Sequence, residues 1–211
     1  VSPEEDALGA SIAISWWVAR DEAGLDIAGQ GEATAVADRD YTIKIDVEGL
    51  VAGEAYYYGF RVDGTGDRSP TGRTRTLPPL GVERVRLAFA SCANYPAGFF
   101  NGYAHLATRD DLDAVLHLGD YIYEYANGQY GDGAELGRIP DPDRETVSLE
   151  DYRRRHASYK ADPDLQAAHA RHPWITIWDD HESANNSHLR GAQHHTEADE
   201  GEWRPRRLAA I

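Results

Sequence analysis

The sequence predicts two successive units of different class: an all-β sandwich over residues 1–79 and an α/β unit over residues 80–211. Residues 11–78 place apolar side chains at every second position, which is the period of half-buried strands. The stretch 76–81 interrupts this pattern with two prolines and a glycine, which indicates a hinge between the two units. Apolar runs at strand spacing and at helix spacing then alternate, which favours a parallel sheet with helical crossovers.

Three alternating runs predict strands of the first unit, namely Ile12 to Val18, Ile43 to Val47 and Tyr56 to Val62. Turn-forming residues separate them, which is the spacing of a sandwich. The segment 50–62 resembles the tyrosine corner of fibronectin type III domains, with Trp16 as the core tryptophan. We interpret its tyrosines as packing residues.

The second unit follows a strand, helix, strand order that continues into two more helices and a third strand. Ser148 to Asp151 forms a capping box, and Asp162-Pro163 forms a cap followed by proline at the first helical position. The residues from Trp203 onward predict the start of another helix. The predicted strands are 84–90, 114–118 and 174–178, and the predicted first helix covers 99–107.

Composition excludes several classes of protein. With 41% hydrophobic and 27% charged residues, the chain is typical of a globular protein. The net charge of −15, with neither half basic, argues against a broad nucleic-acid or anionic-membrane surface. No apolar run is long enough to span a bilayer, and no export signal opens the chain. The single Cys92 excludes an internal disulfide.

Polar residues collect at the ends of the three predicted parallel strands. The strands run into 91–94, 119–124 and 179–182. Because the carboxyl ends of parallel strands meet at one edge of a sheet, these residues are expected to lie together. The sequence therefore predicts a metal site at this edge.

Each candidate ligand suits a different kind of cation. Asp120 ends a strand and can bridge two cations, and Gly119 before it removes side-chain bulk. The Tyr123 phenol becomes a ligand only beside a strong Lewis acid, which favours a trivalent ion. The Cys92 thiolate can complete that side, whereas the Asp180 oxygens suit divalent calcium, magnesium or manganese.

Other interpretations of the same residues stay open. Taken alone, Cys92 is typical of a small buried hydrophobe and Tyr123 of a packing residue. The residues 179–182 also fit a solvated turn, or a helix N-terminus with favourable acidic side chains. The pair His194-His195 lies in a polar stretch without periodicity, and we interpret it as a surface loop.

The strand ends resemble those of the calcineurin-like metallophosphoesterases, in particular the alkaline phosphatase D type. A fibronectin-like domain ahead of the catalytic domain fits that type. The resemblance covers nearly the whole chain and rests on Ser91-Cys92, on Gly119-Asp120-Tyr121-Ile122-Tyr123-Glu124, and on Trp178-Asp179-Asp180-His181-Glu182 followed by Asn185-Asn186.

This resemblance implies an iron and calcium centre in an αββα sandwich. Asp120 would bridge the two metals, with Cys92 and Tyr123 on the ferric side. Asp180 would bind calcium, with Asn185 or Asn186 as a further ligand. His181 corresponds to the histidine that faces substrate. Manganese or zinc is the alternative metal.

The implied function is hydrolysis of phosphate monoesters or diesters by metal-activated hydroxide, assisted by His181. One alternative is a non-catalytic binding module with structural calcium, and another is a phospholipase D-like phosphodiesterase. The family implies a periplasmic or extracellular location. Three parallel strands are too few to close a two-sided core, so we expect the chain to be the first part of a longer enzyme and inactive alone.

Overall fold

A computed structural model describes residues 11–211, which fold as two compact units. The first holds the described residues up to Val85 together with Ala170–Pro173, and the second holds Arg86–His169 and Trp174–Ile211. The strands are β1 Ser11–Ala19, β2 Ile27–Val36, β3 Ala55–Val62, β4 Gly72–Arg75, β5 Leu87–Ala90, β6 Ala114–His117 and β7 Trp174–Thr176. The helices are α1 Asn101–Ala107, α2 Leu149–Lys160, α3 Pro163–Arg171, α4 Glu197–Glu200 and α5 Trp203–Ala209.

The first unit contains a four-stranded antiparallel sheet in the order β2-β1-β3-β4. Its two central tryptophans are each paired with a glycine: Trp16 lies opposite Gly31 of β2, and Trp17 lies opposite Gly59 of β3. A Cβ added to either glycine would lie within about 3 Å of the neighbouring indole. The glycines therefore leave room for the indole rings to lie across the adjacent strand.

The tyrosine-rich strand packs as expected. Tyr56 is 1% exposed, and its hydroxyl accepts a hydrogen bond from the Val51 amide at 2.9 Å. A buried phenol needs such a partner, and here the bond fixes the turn that precedes β3. This agrees with a packing role for the tyrosine.

The strand predicted over Ile43 to Val47 is wrong. Its apolar side chains are half-buried and alternate with exposed polar ones, yet the segment belongs to no sheet among the described residues. Val47 lies 3.3 Å from the position of a Cβ built on Gly29 of β2. The alternation of apolar and polar residues thus reflects burial of one side of this segment, which does not pair with a strand. One sheet is described in this unit, so the second layer of the sandwich stays a prediction.

The second unit contains a parallel sheet in the order β5-β6-β7, which confirms the predicted class. Its strands are shorter than predicted: the first begins at Leu87 and the third ends at Thr176. The predicted caps of the helices are confirmed. The Ser148 hydroxyl accepts from the Asp151 amide at 3.2 Å, and the Asp162 carboxylate accepts from two amides at the start of α3. The helix predicted from Trp203 is confirmed as α5.

The two faces of the parallel sheet differ in burial. On one face, His117 and Trp174 stack at 6.1 Å within an aromatic layer that includes Tyr103 of α1. On the other face, Phe89 is 65% exposed and Ile175 is 57% exposed. No layer packs on these side chains among the described residues. Phe89 of β5 and Ile175 of β7 lie on either side of Leu116 of β6, and such a patch of large apolar side chains favours association with another layer.

The neighbouring residues His194 and His195 differ in their exposure. His194 is exposed as predicted, but the surface interpretation is wrong for His195, whose side chain is only 3% exposed. It lies 3.0 Å from the Glu200 carboxylate and 3.3 Å from the Arg206 guanidinium, and the polar sequence around it gave no sign of these contacts. Within residues 11–211, every helix is too short or too polar to cross a membrane.

Candidate metal centre

Backbone hydrogen bonds hold the loops after β5 and β6 together. The Cys92 amide donates to the Gly119 carbonyl at 3.2 Å, and the Ala93 amide donates to the Asp120 carbonyl at 2.8 Å. These bonds extend the ladder of β5 and β6 beyond the strands. The side chains of Cys92 and Asp120 are thereby placed at the same edge of the sheet.

Both of these residues have left-handed backbone conformations. The φ angle is 57° at Cys92 and 53° at Asp120. Residues other than glycine rarely adopt this region, and such strain of about 1–3 kcal/mol concentrates at functional sites. The conformation turns the two side chains away from the strand direction and toward each other.

Asp120 is the point where the candidate ligands meet. Its Oδ2 accepts hydrogen bonds from the Cys92 Sγ at 3.4 Å and from the Tyr123 hydroxyl at 3.3 Å. Its Oδ1 is buried and has no hydrogen-bond partner. A buried carboxylate oxygen without a partner is costly, and a bound cation removes that cost.

The Tyr123 phenol is strongly biased toward its neutral form. Burial raises its pKa, and the nearby Asp120 and Cys92 raise it further. A nearby cation is the factor that would oppose these effects. Tyr123 can therefore serve as a phenolate ligand only beside a strong Lewis acid.

Asp180 and His181 approach Asp120 from the loop after β7. One ligand atom of each of these three residues lies within 4.8 Å of the others. Two carboxylates and an imidazole so close together form a donor set suited to a cation, and without one the two carboxylates repel each other. In the part of the chain that the structure describes, this is the one such group.

A short 3-10 turn, Asp180–Glu182, positions the loop after β7. Asp179 caps the turn, and the Glu182 carboxylate accepts from the Asp179 amide at 2.7 Å, which is the reciprocal pattern of a capping box. The helix N-terminus interpretation of 179–182 therefore agrees with the backbone of this turn. It does not compete with the site, because the same turn presents Asp180 and His181.

Glu182 also fastens this loop to the one after β6. Its carboxylate accepts from the amides of Asp120 and Tyr121, and the residue is 3% exposed. Burial raises the pKa of Glu182, while hydrogen bonds from the amides of Asp120, Tyr121 and Asp179 oppose this rise. Glu182 fixes the distance between the loops and acts on the site through the backbone.

Glu124 orients His181. Its Oε2 lies 2.8 Å from the His181 Nδ1, and its Oε1 accepts from the Asn185 amide at 2.6 Å. Because a carboxylate accepts, Nδ1 carries the proton and Nε2 is left for a ligand or substrate. Burial lowers the His181 pKa, but the Glu124, Asp120 and Asp180 charges outweigh burial and raise it overall.

Asn185 and Asn186 lie on the segment that follows this turn. The Asn186 amide donates to the Asp180 carboxylate, and both side-chain amides donate to Gln193, at 2.7 Å from Asn185. The two residues thus lie next to the cluster. Their role as ligands stays a prediction.

The sequence suggested that Gly119 leaves space for a bound ion, but the structure shows a second reason for a glycine at this position. Its φ is +100°, and an added Cβ would lie 2.5 Å from the Asp179 backbone nitrogen. We expect Gly119→Ala to lower the free energy of unfolding by about 3 kcal/mol, because strain and overlap combine. Gly137→Ala is the control, since it also has positive φ, at +65°, but open space around its Cβ; about 1 kcal/mol is expected. Equal losses in urea titrations of the two variants would contradict this account.

Sequence reasoning assigned no role to Glu124 or Glu182. The spacing of Asp179 and Glu182 is that of a capping box, so this signal could have identified Glu182. The partner of Glu124 lies 57 residues away in sequence, and no local pattern indicates it.

A family model described as PhoD-like phosphatase matches residues 87–211, which is more than half of the chain. The chain belongs to the PhoD-like phosphatase family. The model of the N-terminal domain of PhoD-like phosphatases matches residues 1–78.

A curated protein and a solved structure are both similar to this PhoD-like chain. It is 41% identical over 180 residues to alkaline phosphatase D of Bacillus subtilis (strain 168), covering 83% of the chain and 30% of that protein. It also matches a solved structure of PhoD with a TM-score of 0.86 and 36% identity, and the match covers 97% of this chain and 38% of the PhoD chain. The PhoD-like chain therefore spans about a third of the length of each.

Proposed function

We propose that this chain carries the first part of the active site of a metal-dependent phosphoesterase. The observation that carries the proposal is the buried Asp120 carboxylate. It accepts hydrogen bonds from Cys92 and Tyr123, and its ligand atom lies within 4.8 Å of those of Asp180 and His181. Its partnerless Oδ1 fits a cation. Family membership supports the same reaction class.

The donor atoms favour two different metals. Sulfur and phenol oxygen at Cys92 and Tyr123 suit iron, whereas the oxygen of Asp180, with Asn185 or Asn186, suits calcium. Asp120 would be shared. Manganese or zinc is the alternative. Bound cations would lower the pKa of water and neutralise charge on the phosphoryl oxygens.

His181 supplies the proton for the leaving oxygen. The Nδ1 contact with Glu124 holds the ring, and in the protonated imidazole Nε2 carries the proton that the leaving oxygen takes. Glu124 is 1% exposed, so the pair keeps one geometry. Glu124 is therefore a positioning residue, and His181 is the acid.

The remaining proposals concern the whole protein. A second sheet covers the apolar face around Phe89 and Ile175, which completes an αββα sandwich, and a second layer completes the fibronectin-like sandwich of the first unit. The substrates are phosphate monoesters or diesters, and the location is periplasmic or extracellular.

The proposal is tested on the full-length protein that contains this segment, purified without added metals. Element-resolved analysis is expected to find iron together with calcium in near-integral amounts. Turnover of p-nitrophenyl phosphate and bis(p-nitrophenyl) phosphate is expected to fall on chelation and to return when both metals are restored. Calcium alone, with no turnover of either ester, would support the binding-module alternative. Zinc or manganese alone with turnover would overturn the metal assignment and keep the reaction.

A further inference from the structure

An exposed tyrosine lies beside the metal centre, on a loop that the proposed reaction does not use. Tyr130 is 56% exposed, although its ring is stacked at 20° on two others. Its centroid lies 5.6 Å from that of Tyr123 and 6.2 Å from that of His181. The ring is thus held in place by residues of the site and still presents surface to solvent.

Tyr125 extends this surface. Its ring is half-buried and lies 5.5 Å from Tyr130 and 5.7 Å from His181. We call the rings of Tyr125 and Tyr130 the aromatic wall. The wall borders the imidazole on the side of the 126–137 loop, so a molecule bound at His181 meets it directly.

The loop that carries Tyr130 is closed by its own hydrogen bonds. The Gly128 amide donates to the Gly131 carbonyl at 2.8 Å, and the Ala126 amide donates to the Gln129 side chain at 3.1 Å. The Tyr130 carbonyl accepts from the Asn94 side chain at 2.5 Å. Because Asn94 follows Cys92 in the loop after β5, the wall is tied to the same loop as the candidate metal ligands.

The wall is uncharged in an acidic neighbourhood. The carboxylates of Glu124, Glu145 and Asp180 are close enough to act on the Tyr125 phenol, and the wall adds no charge of its own. A flat uncharged ring gains apolar contact and stacking from such a surface.

We infer that the aromatic wall is the subsite for the organic group of the ester, and that this group carries a planar aryl or heterocyclic ring. The inference rests on the proposed function, because it assumes that the phosphoryl group lies at Asp120, Asp180 and His181. The ring then stacks on the open face of Tyr130, next to the imidazole that protonates the leaving oxygen. Specificity for the organic group thus comes from the 126–137 loop, and specificity for phosphate comes from the metal centre.

The test compares a phenyl and a methyl ester of the same phosphate type in the metal-loaded full-length protein. Tyr130→Ala is expected to lower kcat/KM for the phenyl ester about threefold to tenfold more than for the methyl ester, chiefly through KM. Tyr130→Phe keeps the ring and is expected to retain the preference for phenyl. Phe99→Ala is the matched control: Phe99 is 58% exposed but lies over Arg138, at 5.4 Å, and its loss is expected to leave the preference unchanged.

Two outcomes distinguish failure of the proposed function from failure of the proposed subsite. If the unaltered protein hydrolyses neither ester, the proposed function fails. If it hydrolyses both and Tyr130→Ala lowers both equally, the reaction stands and the subsite is overturned, with Tyr130 then acting only to shield His181 from water.

Discussion

Asp120→Asn in the full-length protein is expected to remove bound metal and to lower kcat/KM for phosphate esters by about a thousandfold or more. The substitution keeps the shape of the side chain and removes the charge that the candidate ligands share. Several kcal/mol of transition-state stabilisation depend on bound cations, which corresponds to this loss of rate. Element analysis and steady-state kinetics on the same preparation measure both effects.

The same variant gives a second, opposite result in the absence of metal. The carboxylates of Asp120 and Asp180 repel each other there, and the Asp120 Oδ1 has no partner. Asp120→Asn is therefore expected to melt at or above the temperature of the metal-free unaltered protein, and below that of the metal-loaded one.

Asp143→Asn is the control for this experiment. Asp143 is an exposed carboxylate that accepts from the Asn127 amide and lies outside the cluster. It is expected to keep both metal and turnover. If Asp120→Asn melts below the metal-loaded unaltered protein but hydrolyses the esters equally well, Asp120 belongs to a structural site and not to the catalytic one.

The secondary structure was predictable where local chemistry determines it. The capping residue Ser148 and the proline at position 163 define helix starts within a few residues, so the starts of α2 and α3 followed from the sequence. The Ile43 to Val47 run was not predictable in the same way. Alternation of burial arises whenever an extended chain lies on a surface, and pairing depends on a neighbour far away in sequence.

The position of the candidate site was predictable from the sequence, but only some of its residues were. A parallel sheet brings its strand ends to one edge, and this rule alone gathers Cys92, Asp120 and Asp180. It does not show that Glu124 reaches His181, or that Glu182 joins two loops. Those contacts depend on how loops from different strands pack, and the sequence contains no local signal for such packing.

His181→Ala is expected to lower kcat about a hundredfold to ten-thousandfold while both metals stay bound. The imidazole lies 2.8 Å from Glu124 through Nδ1, so its Nε2 is the group that can protonate the leaving oxygen. Metal analysis of the variant separates this effect from loss of a ligand. Unchanged turnover would remove His181 from the mechanism, and loss of metal would make it a ligand.

We expect Glu124 to act on the reaction through His181, and a double substitution tests this dependence. Glu124→Gln is expected to lower kcat about tenfold to a hundredfold, because the amide no longer holds the protonated Nδ1 as a carboxylate does. In the His181→Ala background the same change is expected to have almost no further effect on kcat, since the group it positions is gone. Glu145→Gln is the matched control, because Glu145 pairs with Arg206 at 2.7 Å and not with His181; it is expected to alter stability and leave kcat unchanged. Multiplicative losses in the double variant would show that Glu124 supports the site independently of His181, as a purely structural residue would.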